Sequence, residues 1–102
     1  MWDLIFDGII ITMTDKELEH YNKQQFKNML AKIKEDSGCV DCGISNHIIL
    51  DFDHIRDKKY NVSRMIHDGF SWRAIKKEIE KCEVVCANCH RIRTHNRLND
   101  MI

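Results

Sequence analysis

The chain has 102 residues, 43% apolar and 31% charged, with no proline and sixteen acids against sixteen Lys and Arg. That composition excludes a disordered polymer, and no apolar run approaches the ~18 residues a membrane span needs. One domain fits the length; two of ordinary size do not.

The opening segment carries Asp3 and Asp7 without a basic flank, so it does not read as a signal peptide, and a reducing cytoplasm and no membrane are expected. Residues 1–13 are apolar and β-branched around Ile9-Ile10-Ile11, which suits either a strand or simple packing on the core. Thr14-Asp15-Lys16-Glu17 reads as a capping box. Leu18, Tyr21, Phe26, Met29, Leu30 and Ile33 then recur at helical spacing and predict a helix from about 15 to 36. Its role is packing on the domain, or on a protein partner or second copy. Ile48–Asp53 reads as a short strand. Asn61 and Ser71 are placed to cap helices over 62–68 and 72–81, the second with Trp72, Ile75 and Ile79 inward. Glu83-Val84-Val85 predicts a second strand, and a last helix runs from about 88 to 98. No linker or repeat interrupts this α+β unit.

Charge is uneven along it. Residues 1–50 hold eight acids and five bases, and residues 51–102 hold eight acids and eleven bases, with Arg91, Arg93 and Arg97 close together. A basic C-terminal face suits a polyanion partner.

Four of the five cysteines form matching pairs, Cys39-x-x-Cys42 and Cys86-x-x-Cys89. Two such knuckles supply the four thiolates that a tetrahedral structural zinc prefers. A redox CxxC needs only one pair, at a helix start in a βαβ setting, and that setting is missing. Cys82 is left over and reads as a half-buried small residue. His20 and His67 sit among charged residues and read as solvated.

A further cluster flanks the knuckles: Leu50-Asp51-Phe52-Asp53-His54-Ile55 at the end of the first strand, and Cys86-Ala87-Asn88-Cys89-His90 opening the last helix. Carboxylate, imidazole and a second imidazole tied to a zinc knuckle are the groups that phosphodiester hydrolysis uses. Together with Cys39-Val40-Asp41-Cys42-Gly43 and Val84-Val85, the pattern resembles the HNH endonuclease family over roughly residues 38–97. The resemblance implies a small ββα-metal fold over residues 37–102, buttressed by the four-cysteine zinc, with residues 1–36 as an added apolar segment and amphipathic helix. It implies a DNA endonuclease with His54 as general base and Asp53 and His90 as ligands of a catalytic Mg²⁺ or Mn²⁺. Neighbouring strand residues face opposite sides, so Asp53 and His54 share a site only where the strand ends or twists, and Asp51, two back from Asp53, is the reserve ligand. Arg91, Arg93, Arg97 and His95 are the expected nucleic-acid contacts. Two departures from the family stand out: its middle asparagine falls at Lys81, and the position of a second helix histidine holds Thr94. A non-catalytic zinc module that binds nucleic acid or protein is the alternative reading.

Overall fold

Asp7-Gly8 turns the apolar N-terminus back on itself, with φ of 48° and 79° at its two residues, the left-handed values of a type I′ hairpin turn. Strands β1 (Trp2–Phe6) and β2 (Ile9–Met13) pair antiparallel with Phe6 opposite Ile9. The computed structural model describes residues 2–100, Trp2 and Phe6 by backbone alone. The first segment is thus a strand pair and not core packing: Ile5, Ile9 and Ile10 are largely exposed.

Helix α1 (Asp15–Ser37) starts at the expected box. The Thr14 hydroxyl accepts from the Glu17 N–H at 3.2 Å and donates to the Glu17 carboxylate at 3.1 Å. Leu30 is its buried contribution to the core, and Phe26 lies against Trp72 with ring centroids 5.5 Å apart. Gly38 ends the helix at φ +66°, where a Cβ would also stand 3.4 Å from the Gly43 carbonyl oxygen. The backbone conformation is what disfavours a side chain there, since the neighbouring atoms stand at ordinary contact distance.

The expected first strand starts two residues late. Asn46 accepts from the Ile48 N–H at 3.0 Å and caps a 3-10 turn over His47–Ile49, so β3 spans Leu50–His54. Helices α2 (Val62–His67) and α3 (Trp72–Ile79) begin at the predicted Asn61 and Ser71 caps. Strand β4 (Cys82–Cys86) returns antiparallel to β3, Leu50 opposite Cys86 and His54 opposite Cys82, and runs into α4 (Ala87–Asp100). The result is a mixed α+β chain with two small antiparallel sheets.

Two apolar clusters hold it together. One gathers Leu30, Val62, Met65, Ile66 and Ile75 from α1, α2 and α3. The other gathers Cys39, Leu50, Val84, Val85 and Cys86 at the β3–β4 sheet. Phe52 packs against both and joins them. Fully burying such a side chain stabilises by about 1.5–3 kcal/mol, so neither cluster alone makes a strong domain. Among the described residues no helix is long and apolar enough to cross a membrane.

Candidate functional site

The two knuckles meet. Cys39, Cys42, Cys86 and Cys89 bring their sulfurs within 4.8 Å of one another, and Cys42 and Cys86 stand 3.7 Å apart. Sulfurs at the corners of a tetrahedron with ~2.3 Å arms are ~3.8 Å apart, so the donor set fits zinc in both chemistry and size. Burial opposes ionisation of Cys39, yet hydrogen bonds from the backbone at Cys86, Cys42 and Asp41 outweigh it and bring this thiol down to about 6. The hydrogen bond with Cys86, with burial, pushes Cys89 up to about 12. One corner is thus ready as a thiolate, and a bound cation would draw the proton from the others. Cys82 stands outside the cluster, half-buried, its thiol raised to about 11 by burial.

His54, at the end of β3, turns toward α3. Its Nε2 lies 2.8 Å from Oε2 of Glu78, whose side chain is 4% exposed. Burial would keep that carboxyl neutral, but N–H groups of Lys59 and Tyr60, the Lys81 ammonium and His54 all donate to it and bring it down to about 2. An ionised carboxylate only accepts, so His54 carries its proton on Nε2 in the neutral ring and keeps the Nδ1 lone pair. Among the described residues nothing hydrogen-bonds that Nδ1. Lys81, where the resemblance would place an asparagine, bonds Glu78 at 3.0 Å and the Asp57 carbonyl at 3.1 Å, tying the loop after His54 to α3.

His90, in the first turn of α4, stands between two carboxylates. Nδ1 is 3.2 Å from Asp51 Oδ2, and Nε2 is 3.6 Å from Asp53 Oδ1. Asp53 is buried and carries most of its bonds elsewhere. Arg97 forks onto both its oxygens at 3.0 and 2.8 Å, and Arg93 reaches Oδ2 at 3.0 Å. The Arg97 hydrogen bond, against burial, and then Arg93 hold its carboxyl below the usual range. Arg93 also bonds Glu83, directly across the sheet from Asp53, and forks onto Asp41 between the first two cysteines.

The expected residues therefore separate into groups. His54, Asp51 and His90 line one cavity of about 270 Å³, together with Phe52, Lys34 and Lys58. Asp53 lies beside His90 but outside that lining. Arg93 and Arg97, expected at nucleic acid, both bond Asp53, Arg93 mostly buried and Arg97 half-exposed, because a buried carboxylate requires a cation. Arg91 and His95 are exposed and line a shallow depression on α4 with Asn88 and Ile92; His95 meets Asn99 at 3.0 Å. His47 pairs with Glu35 at 2.6 Å. Glu78 was missed by reading residues singly. Its signal was present, a charge on the inward face that Trp72, Ile75 and Ile79 define.

No family model, no curated protein and no solved structure matches the chain.

Proposed function

We propose that the protein is a metal-dependent DNA endonuclease built on a structural four-cysteine zinc site. The observation that carries this reading is the shared cavity of His54, Asp51 and His90, in which His54 is oriented by the buried Glu78. With Nε2–H given to Glu78, the Nδ1 of His54 takes a proton from water as the water oxygen bonds phosphorus and the P–O3′ bond breaks. The departing 3′ oxygen takes a proton from solvent water, so the products are a 5′-phosphate and a 3′-hydroxyl. His90 and Asp53 are the residues that would hold Mg²⁺ or Mn²⁺. The fit rests on His90: Asp51 takes its Nδ1–H, which leaves the Nε2 lone pair aimed at Asp53 Oδ1. Two electron-rich atoms facing each other call for a cation, and Oδ1 accepts only one guanidinium hydrogen bond. A divalent ion there supplies charge neutralisation at the phosphate. Arg97, half-exposed on α4, competes with it for Oδ1 through a 3.0 Å hydrogen bond.

The test is nicking of supercoiled plasmid. Wild-type protein should cut with Mn²⁺ or Mg²⁺, stop on brief EDTA treatment without unfolding, and recover when the ion is returned. His54→Ala should lose about 10²–10⁴-fold in rate while keeping its zinc. Asp53→Ala should lose metal rescue outright, whereas Asp51→Ala should need roughly 10–100-fold more metal. A chelated protein that cuts unchanged would remove the divalent ion from the reading. Zinc-loaded wild type that cuts under no metal condition would favour the non-catalytic module.

A further inference from the structure

We propose that Lys34, on the N-terminal helix, grips a non-bridging oxygen of the phosphodiester that His54 attacks, an assignment that rests on the nuclease reading above. Helix α1 lies outside the stretch that resembles a nuclease, and its sequence suggested only packing. Yet Lys34, in its last turn, lines the same cavity as His54, Asp51 and His90. The side chain is half-buried, with its Nζ 5.2 Å from the centre of the Phe52 ring. Phe52 joins the two apolar clusters and follows Asp51 on β3, so the ammonium is held over the strand that carries the catalytic groups.

Lys34 has no close anion among the described residues. Lys23 and Lys32 of the same helix form ion pairs with Glu19 and Asp36. Among the described residues no carboxylate comes within ion-pair distance of Lys34; its ring contact with Phe52 and a longer attraction to Asp51 are its partners. A half-buried ammonium with three donors and no bonded acceptor, placed in a cavity with a general base, matches a phosphate oxygen. Charge on that oxygen grows as water adds to phosphorus, so the contact strengthens toward the transition state and acts on kcat.

The experiment uses the full zinc-loaded chain and a labelled duplex oligonucleotide. Plasmid cleavage is compared for wild type, Lys34→Met, Lys34→Arg and Lys32→Met. Duplex affinity against salt is measured for the same changes in a His54→Ala background. Methionine keeps an apolar stem over Phe52, and zinc content and circular dichroism verify the fold. Lys34→Met should lower kcat by about 10²-fold, Lys34→Arg should recover part of it, and Lys32→Met should match wild type. The salt slope of duplex binding should fall by about 1 for Lys34→Met alone. If wild type cuts and Lys34→Met matches it in both kcat and slope, this assignment is overturned and the nuclease reading survives. If wild type never cuts but the slope still falls, the phosphate contact stands without the catalysis. Neither cleavage nor a slope change would overturn both.

Discussion

Glu78 shows how one side chain sets the state of another. It is almost wholly buried and ionised, because four donors outweigh the cost of desolvation and bring its carboxyl from 4.5 down to about 2. A depressed carboxyl contributes stability that is fully present above pH 4.5 and is lost as pH falls toward 2. Glu78→Gln removes that contribution while keeping the shape. Thermal melts of the two proteins should differ most above pH 4.5, and the gap should close as pH approaches 2. A gap that stays constant over this range would show that the ionised carboxylate contributes nothing. If the protein is the nuclease proposed above, the same substitution should slow cleavage by about 10²–10⁴-fold, because a glutamine amide can donate to Nε2 and force the proton onto Nδ1, where that reading needs the base. The inward position of Glu78 was legible from the helical spacing of Trp72, Ile75 and Ile79. Its partner was not, since His54 lies 24 residues away and the path of the loop over 55–60 brings them together.

At the scale of elements, the caps carried the clearest message. Thr14, Asn61 and Ser71 each have a side-chain acceptor three residues before the N–H it satisfies, a local relation visible in one dimension. The 3-10 turn at His47 was hidden, because apolar Ile48 and Ile49 read as strand. The inward turn of α4 was hidden too: arginines on a polar helix read as a solvent face until the strand beside them buries a carboxylate. Arg93 fastens that helix to three elements at once, through Asp53 on β3, Glu83 on β4 and Asp41 in the first knuckle. Asp53 and Glu83 sit directly opposite in the sheet, a like-charge pair that would repel without the shared guanidinium. Arg93→Met should therefore cost about 3 kcal/mol in urea unfolding of zinc-loaded protein. Arg91→Met, on the exposed face of the same helix, should stay within about 0.5 kcal/mol. If the two variants unfold alike, Arg93 is not the fastening described.

The whole molecule is long for its size. Its radius of gyration is 16.9 Å, whereas a compact chain of this length is near ~13 Å, and its extents are 58 × 26 × 17 Å. Two small apolar clusters joined by Phe52 cannot by themselves fix the end of the chain that carries His90. A metal held by the four cysteines would do that, because one pair precedes β3 and the other closes β4 and opens α4. A metal bound there joins residues 47 positions apart and sets α4 against the sheet, which in turn seats His90 beside Asp51 and Asp53. Cys42 is the informative position to change, since it is exposed and a packing argument alone would pass Cys42→Ser as silent. Loss of one thiolate from a closed four-sulfur site should instead release the zinc and lower the melting temperature together, because the binding free energy of such a metal is folding free energy. Cys82→Ser, outside the cluster, should keep one zinc per chain. Elemental analysis and melts of both variants measure this directly. Should Cys42→Ser retain a full zinc and melt with wild type, the tetrahedral site would not be what holds α4, and the seating of His90 would have to come from the Arg93 network alone.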